Sequence, residues 1–234
     1  MGANQSYSTE RADLLAPYST CEISDAMVKL GVASGGHIPD ITMFSPSRDS
    51  ATEKICGPAC TVQMVDAKDK TSPTPQYHFV DVAPRNSVMV ISTPREGKSA
   101  VWGGLMAAGA QNRGVLGAII DGRCRDLAEL RSIGLPVFAR GQSTLGQGTF
   151  TRPSRLNVPI TIKPIANDEQ TLFPAVTVKP EDIIVADLDG VVCIPRDMAA
   201  EVAKRCQRSK EIDDKCMADI RAGKGIKETF AKWR

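Results

Sequence analysis

Two short apolar runs, Ser87-Val-Met-Val-Ile-Ser92 and Gly117-Ala-Ile-Ile-Asp121, flank an Ala-, Leu- and Met-rich segment, Ala100 to Arg113, that carries Gly103-Gly104 near its start. Neither run alternates and both are bounded by turn residues, so each suits a strand covered on two faces, as in a parallel or mixed sheet. The segment between them reads as a helix opening on a glycine turn. Strand, glycine turn, helix, strand makes a βαβ unit, whose right-handed crossover sets both loops on the same edge of the sheet. That edge is where ligands usually bind. The chain is therefore read as α/β.

Around this unit the pattern predicts further elements. Ser19 to Gly31 begins with a capping residue, keeps helical apolar spacing and ends on glycine, which predicts a short amphipathic helix. A loop rich in Gly, Ser and Pro leads to a strand over Ile55 to Asp66, and 67–77 is a loop. Asp126 to Ile133 reads as a helix, Pro136 to Ala139 as a short strand and 141–154 as a polar stretch. Val158 to Ile165 and Ala175 to Val178 read as strands, and 180–195 as two strands joined at a tight Asp-Gly turn. From Arg196 the pattern is helical, with Gly223 and Gly225 breaking it into two helices. No internal repeat or linker divides the chain, so residues 1–234 read as one domain, with a core over about 15–195 and a helical extension over 196–234.

Composition excludes several functions. A net charge of +2, from 29 basic and 27 acidic residues spread along the chain, provides no basic stripe for a nucleic acid. No run of 18 apolar residues occurs and no leader pattern opens the sequence, so a cytoplasmic protein without a membrane partner is expected. Gly2 followed by Ser6 fits a loose myristoylation pattern that is common by chance. Seven cysteines, an odd number, read as reduced thiols. Cys56 and Cys60 form the one close pair, but with only His37 and His78 elsewhere a structural zinc is disfavoured, and two thiols near a turn entering a strand are expected instead.

The chemistry concentrates on the βαβ unit. Gly103 and Gly104 let a backbone approach an anion, and the N–H groups that open the helix, at Leu105 and Met106, can hold a carboxylate. Arg125, just past the second strand, can grip the same carboxylate with two parallel hydrogen bonds. Asp126 beside it offers a hard oxygen to Mg²⁺ or Mn²⁺. A plainer alternative stands beside this: an Arg-Asp pair at a helix start can be a capping arrangement, and the glycines can serve packing alone. Asp187 and Asp189 flank Gly190 and read as turn formers. His78 reads as a packed or edge histidine, and Ser143 and Thr144 have no histidine partner nearby in sequence for nucleophilic catalysis.

These segments resemble the RraA-like family, which includes 4-hydroxy-4-methyl-2-oxoglutarate aldolase and oxaloacetate decarboxylase. The resemblance runs through Ser19-Thr-Cys-Glu-Ile-Ser-Asp-Ala-Met27, Gly103 to Asp126, Gly134-Leu-Pro-Val-Phe-Ala-Arg140 and the stretch from Asp182 to Val191. The family marker is an acidic residue, twenty intervening residues, then Arg-Asp. Here the spacing is kept, but the acidic position is Gly104, a Gly-Gly form similar to that of fungal relatives.

The resemblance implies an αββα sandwich of the swivelling β/β/α kind with a C-terminal helical tail, assembled as homotrimers or hexamers with active sites between subunits. It also implies a small 2-oxo acid held by the backbone of Gly103, Gly104, Leu105 and Met106 and by the side chain of Arg125, with Asp126 on the divalent cation. The family's acid supports the metal through water, so its loss at 104 implies weaker metal binding or a shift of that role to Asp121 or to an acid of another subunit. Cleaving the bond between C3 and C4 then leaves a pyruvate enolate, common to retro-aldol cleavage and to oxaloacetate decarboxylation. Asp121, through a linked water, and Glu211 are candidate bases. Two other readings stay open: a non-catalytic regulator that masks a protein partner, against which the tail after 196 argues, and a specialised enzyme for a larger oxo acid.

Overall fold

The computed structural model describes residues 5–46, 54–165 and 173–234; the pattern at Gly2 lies outside them. In chain order the elements are α1 (Glu10–Leu15), α2 (Thr20–Lys29), β1 (His37–Ile38), β2 (Thr42–Ser45), β3 (Ile55–Asp66), β4 (Val88–Ser92), β5 (Ala100–Trp102) and α3 (Gly104–Asn112). They continue with β6 (Gly117–Cys124), α4 (Leu127–Ile133), β7 (Val137–Gln142), β8 (Thr151–Leu156), β9 (Ile160–Ile162) and β10 (Val176–Val178). The chain closes with β11 (Ile183–Asp187), β12 (Gly190–Ile194), a 3₁₀ turn (Arg196–Met198), α5 (Ala199–Arg221) and α6 (Ile226–Trp233).

The expected βαβ unit is present. Strands β4 and β6 run parallel, with Val88 opposite Gly117 and Ser92 opposite Asp121, and α3 lies in the connection. They sit at the centre of a mixed sheet ordered β1-β12-β11-β3-β4-β6-β7-β2. The non-alternating sequence of β4 has a direct cause. Val88 and Val90 pack with Ile160, Ile162, Val176 and Val178 of the β9–β10 ribbon on one face. Met89 and Ile91 pack with Ala107 and Ala110 of α3 and Leu130 of α4 on the other. Burying a strand on both faces requires apolar residues at both parities.

A third cluster joins Leu15 of α1, Ile23 and Met27 of α2, and Val202 and Cys206 of α5 over β11 and β12. Helix α2 starts where predicted: Ser19 and Glu22 form a reciprocal capping box. The Asp187 carboxylate accepts hydrogen bonds from the Thr20 N–H (2.9 Å) and hydroxyl (2.6 Å) and from the Asp189 N–H, so the Asp pair does shape the β11–β12 turn, and it also ties that turn to α2. The predicted break in the tail falls at Gly223, between α5 and α6.

Several boundaries differ from the sequence reading, each because long-range pairing overrides local pattern. Ala100–Trp102 is strand, since it runs parallel to the end of β6, Ala100 opposite Arg123 and Trp102 opposite Cys124. Strand β6 continues past Asp121 to Cys124. Thr151–Leu156, within and beyond the expected polar stretch, pairs with β3. β1 and β2, inside what reads as a loop, form the two ends of the sheet order. Cys56 and Cys60 lie within β3, where the strand changes partner from antiparallel β11 to parallel β4. Among the described residues no helix is long and apolar enough to cross a membrane.

Candidate functional site

The carboxyl ends of β5 and β6 hold the site, and their pairing positions it. The Arg125 N–H donates to the Trp102 carbonyl at 2.9 Å, so the turn leaving β6 is stitched to the turn leading into α3. Gly103 occupies the N-cap position of α3 without a side-chain cap, and the first intrahelical bond is from the Ala107 N–H to the Gly103 carbonyl at 3.0 Å. The N–H groups of Leu105 and Met106 precede that bond and stand at the positive end of the helix.

Asp126 sits at the N-cap position of α4 in the left-handed region, at φ 59°, yet its side chain does not cap that helix. Its carboxylate instead crosses to the neighbouring helix and accepts the Gly104 N–H at 3.3 Å, so the aspartate caps the start of α3 and not that of α4. A non-glycine residue held left-handed costs roughly 1 kcal/mol, which the surrounding turn must sustain. The Arg125 Nε lies 3.5 Å from the same Asp126 oxygen, with the two side chains 45% and 39% exposed, so the pair adds little stability by itself. Its terminal guanidinium nitrogens make no hydrogen bond among the described residues.

These residues line a cavity of about 360 Å³ together with Trp102, Leu105, Met106, Glu129 and Gln147. Four participants escape the sequence reading. Gly146 comes against the guanidinium, since a Cβ there would stand 2.8 Å from an Arg125 terminal nitrogen. The loop carrying it is fastened by the Ala100 N–H to the Leu145 carbonyl at 2.8 Å. The indole nitrogen of Trp102 and the amide oxygen of Gln147 are buried without a hydrogen-bond partner among the described residues, although both residues line the cavity. Glu129 lies one turn along α4 from Asp126; that i, i+3 spacing was the available signal.

Asp121 is not brought to this cavity. Four residues up an extended strand from Arg125, it stands about 13 Å away along the chain. It pairs with Arg140, which also holds Asp40 at 3.1 Å and the Lys163 carbonyl. This pair belongs to a second cavity of about 410 Å³ lined also by Arg95, Lys98, Arg123 and Lys163. Burial pushes the Asp121 carboxyl up, against the opposing pull of Arg140. Glu211 is exposed on α5, and His78 stacks on Phe79 with ring centres 4.5 Å apart. Burial pushes the thiols of Cys56 and Cys60 up to about 11, and no group of three His, Cys, Asp or Glu converges among the described residues.

Comparison with known proteins gives a consistent result. A family model described as RraA-like, Aldolase/RraA, matches residues 20–193. Protein DlpA of Legionella pneumophila is 28% identical over 90% of this chain, which spans only 31% of DlpA's length. A Halalkalibacterium halodurans protein named "Putative 4-hydroxy-4-methyl-2-oxoglutarate aldolase" is 28% identical over 69% of this chain and 69% of its own. Among solved structures, a Pseudomonas syringae protein superposes with a TM-score of 0.80 at 25% identity, covering 98% of this chain and 97% of its own. Streptomyces coelicolor RraAS2, described as an unusual member of the RNase ES inhibitor RraA protein family, shares the fold, with a TM-score of 0.73 at 20% identity over 90% of this chain and 96% of its own.

Proposed function

The chain belongs to the RraA-like, Aldolase/RraA family, and from that premise we propose that it is a divalent-metal-dependent carbon–carbon lyase acting on small 2-oxo acids. The observation that carries this reading is the convergence of Arg125, Asp126 and the open start of α3 on one cavity. The names of several relatives, which call them 4-hydroxy-4-methyl-2-oxoglutarate aldolases, point to the same reaction class.

The site fits a hard divalent cation. A Cβ at Gly103 would lie 2.4 Å from an Asp126 carboxylate oxygen and 3.2 Å from the Arg125 Cγ, so glycine there leaves the room that the carboxylate occupies at the cavity wall. With no third acid converging among the described residues, Mg²⁺ or Mn²⁺ would take its remaining oxygens from water and substrate, as these ions commonly do. When bound, such an ion supplies Lewis-acid polarisation of the 2-oxo group.

The chain's own residues do the rest. Arg125 meets the substrate carboxylate with its planar fork, while the N–H groups of Leu105 and Met106 donate from the helix start. Gly103 lines that approach, whereas the N–H of Gly104 is taken by Asp126. Breaking the C3–C4 bond leaves a pyruvate enolate; retro-aldol cleavage first removes the C4 hydroxyl proton, and both reactions end with a proton delivered to C3. The proposed assembly is a homotrimer or hexamer, in which Leu105, 83% exposed at the cavity rim, would meet a neighbouring copy.

Pyruvate release from oxaloacetate and from 4-hydroxy-4-methyl-2-oxoglutarate tests this, with Mg²⁺, with EDTA, and with Arg125→Ala and Asp126→Ala. Metal-dependent release that falls in both variants is the expected result. Release at the uncatalysed rate from both substrates would overturn the reading in favour of a binding protein or an enzyme for a larger oxo acid.

A further inference from the structure

Gly104 stands where the family marker has an acid, and the space above it is filled. A Cβ built on Gly104 would lie 2.0 Å from the Glu129 Oε2, 2.1 Å from its Cδ and 2.7 Å from its Cγ. The volume that a side chain at 104 would enter is already taken by a carboxylate arriving from α4. At the adjacent Gly103, whose Cα is about 3.8 Å away, the corresponding Cβ position meets the Asp126 carboxylate at 2.4 Å. Two carboxylates thus stand over two consecutive glycines at the wall of one cavity.

We propose that Glu129 supplies the second carboxylate of the cation site, in the volume left open by glycine at 104. The inference rests on the metal-site reading above and names the residue that completes it. Asp121 does not take this role: it lies in the other cavity and is engaged by Arg140. Glu129 makes no hydrogen bond or ion pair with another described residue, and it lines the same cavity as Asp126. The arrangement is exclusive. An acid at 104 and Glu129 in its present position cannot coexist, so moving the carboxylate from α3 to α4 requires a residue without Cβ at 104.

Mn²⁺ binding by the purified full chain, followed by the electron paramagnetic resonance signal of the free ion, tests this without reference to turnover. Wild type should bind and Asp126→Asn should not. Glu129→Gln and Gly104→Ala should each weaken binding at least about tenfold, the range typical of residues that support a metal site. The alanine acts by displacing the far end of a flexible side chain, so circular dichroism should show it folded. Gly104→Asp combined with Glu129→Ala, which returns the acid to α3, should recover binding. If Glu129→Gln and Gly104→Ala bind as wild type while Asp126→Asn does not, the role of Glu129 is overturned and the metal site stands. If wild type binds no Mn²⁺, the metal-site reading itself fails, and this inference with it.

Discussion

The carboxylate of Asp126 caps the wrong helix: placed at the start of α4, it accepts the backbone N–H of Gly104 at the start of α3, 3.3 Å away. The contact fixes the spacing between the two helix starts that face the cavity. Gly103 permits it, since an added Cβ would stand 2.4 Å from the Asp126 oxygen and 3.2 Å from the Arg125 Cγ. Gly103→Ala should therefore displace both side chains together. The expected outcome is a loss of kcat/KM for oxaloacetate of about 100-fold, the scale of an ångström-level misplacement, with thermal stability close to wild type. Unchanged kinetics would mean that the Arg125–Asp126 geometry is not what the reaction uses.

On the proposed reading Arg125 binds the substrate carboxylate while Asp126 holds the cation, and kinetics test the first of these roles. Arg125→Lys keeps the charge but loses the planar fork that matches a carboxylate. KM should rise roughly 10- to 100-fold with a smaller change in kcat, because the substrate carboxylate is held alike before and during bond cleavage. Equal falls in kcat and kcat/KM would instead assign Arg125 to the reacting end of the substrate.

The sequence made the centre of this fold legible because burial on two faces leaves an unmistakable record: Val88, Met89, Val90 and Ile91 are all apolar and all buried. Arg125 and Asp126 were legible for a related reason, since they follow directly on such a strand. Trp102 was hidden because its three-residue strand exists only through pairing with the end of β6. Gly146 and Gln147 were hidden because a loop brings them back across 20 or so residues, held by a backbone bond that no side-chain pattern encodes. Asp121 misled because the strand was read as ending there. Its continuation to Cys124 carries Arg125 away to the other cavity.

That continuation makes Arg140 and Asp121 a stability pair. Their side chains are only 14% and 15% exposed, and Arg140 further joins Asp40 on the β1–β2 connection to the Lys163 carbonyl beside β9. Arg140→Ala leaves a largely buried carboxylate without its partner, which should cost about 3 kcal/mol. Folded Asp121 is then freer to protonate, its pKa raised by burial with only the weaker pull of Arg95 still opposing it. A group whose folded pKa is raised binds its proton more tightly when folded, so the deficit should shrink as pH falls through that raised value toward the ordinary 3.8. Urea unfolding at pH 7 and pH 4 checks this. A deficit that stays constant or grows at the lower pH would place the loss in packing and not in the stranded charge.

The tail holds a second charge cluster, whose carboxyl is shifted in the opposite direction. The Asp219 carboxylate accepts hydrogen bonds from Lys224 at 2.8 Å, from the Trp233 indole at 3.0 Å and from Lys232 at 3.3 Å, joining α5 to α6. Those bonds, the one from Lys224 foremost, hold its pKa down at about 2 against an ordinary 3.8. A carboxyl with a depressed folded pKa contributes stability above its unfolded value, and that contribution is lost as pH falls toward the folded one. Asp219→Asn should therefore loosen the tail at neutral pH by an amount that stays level down to about pH 4. Below that the gap to wild type should narrow, closing near pH 2. The indole N–H resonance of Trp233, assigned through Trp233→Phe, reports the docking of α6 directly. If it is the same in wild type and Asp219→Asn at pH 7, the lysine–tryptophan cluster is not what fastens α6 to α5.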